Sequence, residues 1–276
     1  METLNTALKL IGEGCFMASI DLKDAYYSVP IHEEHKKLPL FEWKGHVFDF
    51  DALPNRLALT PRQFTKLSKP IFASLRKKSH ISTSFLDDSL LTGQTEWDCI
   101  FNIRDTLLLF RKMGFVIHLT KSILKPSKQI QYLGVIINSE TMTVSLTPER
   151  INSLKADCKK LLKRQVMTVR EVAQVIGKMV ASFPAVRYGP LHYCSLENDK
   201  KEALKRCKGD FDKTLTLATD NREELSWWID NVQDSYNNVC TSEPDVVVTS
   251  DASLTGWGCD CERVHSGGQW LPAERM

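Results

Sequence analysis

Ile81-Ser-Thr-Ser-Phe-Leu-Asp-Asp-Ser-Leu-Leu-Thr92 sets two apolar, β-branched runs on either side of the acids Asp87 and Asp88. Runs of that length and composition predict strands, and the acids between them predict a hairpin turn. Upstream, Phe16-Met-Ala-Ser-Ile-Asp21 is a second strand-like stretch, closing on a third acid, Asp21. If the hairpin lies beside this strand, three carboxylates meet at one sheet edge. At ~4 Å and an effective dielectric of ~20, each pair of charges repels by ~4 kcal/mol. Divalent cations would neutralise that repulsion; Mg²⁺, a hard ion held by one or two carboxylates plus substrate phosphates, suits such a site. The chemistry predicted is two-metal phosphoryl or nucleotidyl transfer. Alone, an Asp-Asp pair between apolar runs is more often a solvated turn, so the surrounding residues decide.

Those residues form an ordered series: Met17-Ala-Ser-Ile-Asp-Leu-Lys-Asp-Ala-Tyr-Tyr-Ser-Val-Pro-Ile31, Leu53-Pro-Asn-Arg-Leu-Ala-Leu-Thr-Pro-Arg-Gln-Phe-Thr-Lys66, Phe85-Leu-Asp-Asp88, Met113-Gly-Phe-Val-Ile-His-Leu-Thr-Lys121 and Gln131-Tyr-Leu-Gly-Val-Ile-Ile137. The series resembles five successive motifs of reverse transcriptases, the last being the primer-grip hairpin. Ser182-Phe-Pro-Ala-Val-Arg-Tyr-Gly-Pro-Leu-His-Tyr193 resembles the DIRS-type retrotransposon branch in particular. Pro244-Asp-Val-Val-Val-Thr-Ser-Asp-Ala-Ser-Leu-Thr-Gly-Trp-Gly258 resembles the opening strand of a retroelement ribonuclease H domain, with Asp251 at its first metal-binding acid.

The resemblance implies an α+β fold. It comprises a reverse-transcriptase palm (a split βαβ mixed sheet with helices on one face), a helical thumb and a truncated ribonuclease H-like sheet. The expected divisions are 1–146 for the palm with partial fingers, 147–208 for a basic helical thumb, 209–243 for an acidic helical connection and 244–276 for the ribonuclease H-like piece. In this frame Asp21 and Asp87 hold two Mg²⁺ ions and Asp88 supports the site near the primer end. The backbone of Leu22, Lys23, Asp24 and Ala25 passes under the triphosphate. Tyr26 lies below the sugar, where its ring would clash with a 2′-hydroxyl; Asn55 hydrogen-bonds a sugar, and Lys121 assists the pyrophosphate. Leu133 and Gly134 touch the primer backbone. The implied partners are an RNA or DNA template with a DNA primer, and deoxynucleoside triphosphates.

Two departures bear on activity. Asn55-Arg56 stands where family members commonly carry an aromatic residue or Gln followed by Gly, and glycine there permits backbone geometry that Arg resists. The chain also begins just ahead of the first motif, so most of the fingers is expected to be missing. The remaining ribonuclease H acids would lie beyond Met276, so no ribonuclease activity is expected. Two readings therefore stand: an RNA-directed DNA polymerase fragment that extends primers weakly or not at all, and a non-catalytic nucleic-acid-binding remnant of a retroelement. A metal-dependent nuclease and a purely structural α/β protein are further rivals.

Charge favours a nucleic-acid partner. Residues 150–208 carry 14 Lys/Arg against 5 Asp/Glu, whereas residues 209–276 carry 4 against 13, within a chain of net charge +2. A basic block of that density provides phosphate binding and counterion release. Hydrophobic content of 42% and charged content of 25% are those of a globular protein. No apolar run reaches the ~20 residues of a membrane helix, and the N-terminus lacks signal-peptide order. The eight cysteines show no metal-ligand spacing. They read as reduced thiols of an intracellular protein, cytoplasmic or nuclear and not secreted.

Local signals add detail. Residues 38–53 predict a hairpin around Lys44-Gly45. Thr60-Pro-Arg-Gln63 predicts a capped helix start, with Pro70 kinking or shortening the helix. Thr95 is expected to cap a helix with an apolar face of Ile100, Ile103, Leu107 and Phe110, ended by Gly114. Strands at 115–119 and 130–137 are expected to complete the palm sheet. Helices follow from Thr147-Pro148, from a capping box at Thr168-Val-Arg-Glu171, over 190–206, and around Glu223–Ile229.

Overall fold

Strand β1 (Phe16–Lys23) organises the first half of the chain. Its alternation sends Ala18, Ile20 and Leu22 into one apolar cluster and Met17 into another, so both faces of the strand are covered. The computed structural model describes residues 2–239, 246–261 and 264–271, in two units, Met1–Cys240 and Thr241–Met276.

Ahead of β1 is a short helix α1 (Leu4–Leu8); after it come α2 (Glu33–Lys36) and the hairpin β2 (Leu40–Trp43) and β3 (His46–Asp49). Lys44 and Gly45 both have positive φ at its turn, as a two-residue type I′ turn requires. Then follow α3 (Thr60–Arg76), β4 (Ile81–Phe85), β5 (Asp88–Gly93), α4 (Glu96–Lys112), β6 (Val116–Ile117) and β7 (Ile123–Ser127). Strand order is β4-β5-β1, with β6 and β7 pairing successive parts of β1 on its far side. This is the split βαβ arrangement, but every pairing is antiparallel, which corrects the expected mixed sheet. Each helix returns the chain so that the next strand runs opposite to its neighbour.

Helices α3 and α4 cover one face through Phe64, Ile71, Phe72, Leu75, Cys99, Ile103 and Phe110. Thr60 is not the cap of α3: the cap position is Leu59, and the Thr60 hydroxyl donates instead to the Pro54 carbonyl at 3.0 Å. Pro70 does not shorten the helix, which runs on to Arg76; it lies on the exposed side, where water can take the carbonyl that its missing N–H leaves free. In α4 the Thr95–Asp98 capping box forms as expected, and Gly114, at φ +84°, follows its end. Its buried stripe also takes in polar Asn102 and Thr106. Asn102 Nδ2 donates to the carbonyls of Ile81 and Thr92 at 2.8 and 3.0 Å, tying the helix to β4 and β5.

Residues 130–137 leave the palm sheet. Leu133 and Gly134, at φ +47° and +79°, turn the chain back on itself. They form the hairpin β8 (Gln129–Tyr132) and β9 (Val135–Asn138), which belongs to a second antiparallel sheet. That sheet adds β10 (Thr143–Leu146) and runs β13-β10-β9-β8, where β13 is Tyr236–Asn238. Between β10 and β13 lie α5 (Pro148–Leu162), β11 (Val166–Thr168), α6 (Val169–Ser182), α7 (Cys194–Arg206), β12 (Thr214–Thr216) and α8 (Thr219–Asn231). The expected capping box at Thr168 and Glu171 starts α6. Leu154, Cys158 and Leu161 of α5 share one core with Val172 and Met179 of α6 and with Leu225 and Trp228 of α8. The acidic helix is thus packed into the same core as the basic ones, and β12 pairs with β11.

In the second unit, β14 (Val248–Ala252), β15 (Gly256–Cys261) and β16 (Val264–Gln269) form an antiparallel sheet in that order. Pro244 and Asp245, expected to open β14, lie outside the described residues. Among the described residues no helix is long and apolar enough to cross a membrane, and seven cysteines are free thiols.

Candidate active site

Register fixes the acids. Asp21 of β1 stands directly opposite Asp88 of β5, and directly opposed residues of antiparallel strands face the same side. By alternation from Met17 and Leu90, that side is the one away from α3 and α4. Phe85 pairs with Asp88 across the turn, leaving Leu86 and Asp87 as its two central residues. Leu86 takes φ +57°, a left-handed position that costs a branched residue strain. The Asp87 carbonyl accepts the Leu22 N–H at 3.0 Å, so the tip of the hairpin is bonded to the residue after Asp21. β1 runs two residues beyond Asp21, where Leu22 and Lys23 pair with β6.

The loop after β6 holds Asp21 from the other side. Asp21 N–H donates to Ser122 Oγ at 3.0 Å, and the Asp21 carbonyl accepts the His118 N–H at 2.8 Å. Ser122 Oγ in turn donates to the His118 carbonyl at 3.0 Å.

Asp21, Leu22, Lys23, Asp24, Ala25, Tyr26, Asn55, Asp87 and Lys121 line one cavity of about 300 Å³. Every residue singled out in the sequence as nucleotide-binding is therefore in one place. Asp24, at φ +52°, turns the chain into a 3₁₀ turn over Ala25–Ser28, which puts Tyr26 over the cavity. The Tyr26 ring packs edge-on against Phe64 at 5.5 Å, and burial, then the charge of Asp87, raises its hydroxyl pKa. Asn55 Nδ2 donates to the Tyr27 hydroxyl at 3.4 Å. Beside it Arg56 takes φ +69°.

Asp88 is not among the residues lining that cavity, but its carboxyl feels the charges of Asp87, Asp21 and Lys121, which are. The Tyr132 hydroxyl donates to the Asp88 carbonyl at 3.2 Å, bonding the β8–β9 hairpin, and so Leu133 and Gly134, to the strand that bears the acid. Asp251 lies on β14 in the other unit, exposed, and its Oδ1 accepts the Ala252 N–H at 2.8 Å.

Sequence reasoning missed His118, Tyr27, Ser122 and Tyr132. His118 and Tyr27 line the cavity. All but Ser122 fall inside motifs quoted above, yet their roles depend on bonds to residues far along the chain.

Burial, then the charges of Asp87 and Asp21, pushes the Asp88 carboxyl from an ordinary 3.8 up to about 6, with Lys121 opposing. Among the described residues no group of three or more His, Cys, Asp or Glu side chains is arranged as a metal cage. The donors present still fit Mg²⁺: they are hard carboxylate oxygens crowded enough to repel, and this ion takes one or two carboxylates with the rest of its shell from phosphates and water.

A pH test follows. Because the folded pKa of Asp88 is raised, its stabilising contribution is complete below about 3.8 and is lost as pH rises through about 6. Metal-free protein should lose about 1 kcal/mol or somewhat less between pH 5 and 7, after allowance for solvent screening. Thermal melts should show Mg²⁺ restoring this at pH 7 and doing nothing at pH 5, with Asp88→Asn abolishing both effects. Equal Mg²⁺ responses at the two pH values would rule out charge crowding as the cause.

A family model described as reverse transcriptase (RNA-dependent DNA polymerase) matches residues 1–137. The Gag-Pol polyprotein of walleye dermal sarcoma virus is 27% identical over 164 residues, 57% of this chain and 9% of that protein. The Gag-Pol polyprotein of bovine immunodeficiency virus is 24% identical over 197 residues, 67% of this chain and 12% of that protein. The chain thus spans only a small part of the length of these relatives. Among solved structures, the foamy viral protease-reverse transcriptase in complex with an RNA/DNA hybrid matches with a TM-score of 0.67 at 16% identity, covering 98% of this chain and 36% of that one. The same viral enzyme in complex with double-stranded DNA gives 0.67 at 14% identity, covering 100% and 47%. At such identities the likeness is one of fold.

Proposed function

We infer, from the match of residues 1–137 to the reverse transcriptase family model, that this chain carries the catalytic edge of an RNA-directed DNA polymerase. It adds deoxynucleotides to a primer 3′-end on an RNA or DNA template. The observation that carries the reading is the pairing of Asp21 with Asp88, with Asp87 at the turn beside them.

Two divalent cations held by Asp21, Asp87 and Asp88 would lower the pKa of the primer 3′-hydroxyl and offset charge on the transferring phosphoryl group. The residues around them position the reactants. Tyr26, fixed edge-on by Phe64, forms the floor under the sugar and excludes a 2′-hydroxyl. Lys121, which lines the cavity wall as Lys23 does, takes the leaving phosphates. Asn55 meets the sugar, held by Tyr27. Leu133 and Gly134 guide the primer, and Tyr132 fixes their distance from Asp88.

The finer placement is a DIRS-type retroelement acting inside the cell, supported by the string Ser182–Tyr193. In this fold that string forms two 3₁₀ turns, Phe183–Ala185 and Gly189–Leu191, and its His192 carbonyl accepts the Trp228 indole N–H at 2.7 Å. A ribonuclease H start is supported by the antiparallel β14-β15-β16 sheet with Asp251 on its first strand.

A second reading, a nucleic-acid-binding remnant without catalysis, is favoured by Arg56, whose left-handed backbone lies next to a residue lining the nucleotide cavity. Primer extension with Mg²⁺ on RNA and DNA templates separates the two. Extension by the wild type that disappears in an Asp87→Asn/Asp88→Asn chain supports the polymerase. Tight primer–template binding with no incorporation by either chain establishes the remnant.

A further inference from the structure

We propose that Arg150 is a phosphate-binding residue for the primer strand, seated on the β8–β9 turn from the neighbouring helix α5; this rests on the polymerase reading above. The starting observation is at Gly134. A Cβ added there would overlap the Nε, Cζ and Nη2 atoms of Arg150, so the guanidinium lies directly over the bare backbone of the turn. Gly134 therefore serves two needs: its φ of +79° closes the turn, and its missing side chain leaves the space that Arg150 fills.

Arg150 is badly placed for stability alone. It sits in the first turn of α5, its N–H donating to the capping Thr147 hydroxyl at 3.4 Å. A cation at a helix N-terminus opposes the helix dipole, whereas Glu149 beside it complements that dipole. Lys128 pairs with Glu140, Lys178 with Asp157, and Lys160 and Arg164 share Glu171, whereas Lys155, Lys159 and Lys163 form no ion pair among the described residues. Among the described residues Arg150 forms no such ion pair, and it is exposed. An unpaired guanidinium beside helical N–H groups is a concentration of positive potential with no internal anion to meet it.

The surroundings define the ligand. Arg150, Gln174, Gly177 and Lys178 border a cavity of about 320 Å³ between α5 and α6, and nothing lies within 4 Å of the place where a Gly177 Cβ would stand. At the other end, the hairpin under Arg150 is bonded through Tyr132 to Asp88. A strand crossing the turn toward the acids must pass the guanidinium. Its planar fork of donors matches a phosphodiester in two-pronged fashion, which a lysine cannot do.

The test uses the full chain and a DNA hairpin with a recessed 3′-end, with binding followed by fluorescence anisotropy over a salt series. Arg150→Ala should weaken binding roughly tenfold at low salt and reduce the slope of log K against log salt by about 1. Arg150→Lys should keep the slope and recover only part of the affinity. A single methylphosphonate near the primer 3′-end should weaken wild-type binding and leave Arg150→Ala indifferent, a signature that a packing role cannot produce. Equal affinity and slope for Arg150→Ala and wild type, or the same methylphosphonate loss in both, overturns the proposal while the polymerase reading survives. Failure of the wild type to bind the hairpin at all overturns both.

Discussion

An Asp21→Asn chain is expected to lose at least about a thousandfold of nucleotide incorporation, roughly 4 kcal/mol of transition-state stabilisation, while melting at a higher temperature than the wild type at neutral pH without metal. The two effects have one cause. Asp21 is opposite Asp88, and its charge helps push the Asp88 carboxyl to about 6. Removing that charge lets Asp88 ionise at a lower pH and lifts the repulsion from the folded state. In the proposed two-metal reaction it would also remove a ligand from acids that act together, so the loss could not be shared out among the remaining two. The backbone bonds that hold residue 21, to Ser122 and His118, are kept by Asn, so the fold is retained. Single-nucleotide incorporation and metal-free melts, measured side by side, check both signs. An unchanged melting temperature would show that Asp21 and Asp88 do not communicate, and undiminished incorporation would remove Asp21 from catalysis.

Arg56→Gly is expected to raise stability by about 1 kcal/mol and to improve nucleotide use by on the order of tenfold. At φ +69° Arg56 occupies a region where its Cβ is strained and glycine is not. Part of the relief is offset by the greater freedom of glycine in the unfolded chain. The neighbouring Asn55 lines the cavity beside Asp21 and Asp87, so relief of strain at 56 is expected to improve the placing of its amide for the proposed nucleotide. Arg56→Ala is the control, since it removes the charge and keeps the Cβ. Urea unfolding and the KM for nucleotide should improve for Gly and not for Ala. Equal gains from both would shift the explanation from backbone strain to the guanidinium.

The three acids were legible because strand alternation and a two-residue turn are local rules. Phe16–Asp21 and Ile81–Thr92 specify strands without help, and once those strands pair, the register does the rest. The caps at Thr95 and Thr168 were legible for the same reason. Thr60 was misread because a hydroxyl followed by Pro looks like a cap from sequence, and only the fold brings the Pro54 carbonyl within its reach. The buried stripe of α4 was read as wholly apolar, whereas Asn102 is buried to satisfy two strand carbonyls that no periodicity reveals. Tyr132 and Arg150 escaped notice because each acts across elements, one on Asp88 and the other on Gly134. Arg56 was legible as a departure; its left-handed backbone shows why glycine suits the place.

The helical lobe begins at the end of β10 and returns through β13, and these two strands pair side by side, Thr143 with Asn238 and Ser145 with Tyr236. The chain thus enters and leaves the lobe at neighbouring points, while the lobe packs on the sheet through a shared core that includes Ile137, Val144, Leu154 and Trp228. A lobe attached in this manner can be exchanged by cutting at two neighbouring points, provided that the donor lobe matches the apolar face of the sheet. Such a chimaera would keep Asp21, Asp87 and Asp88 in their register and take the basic helices from the donor.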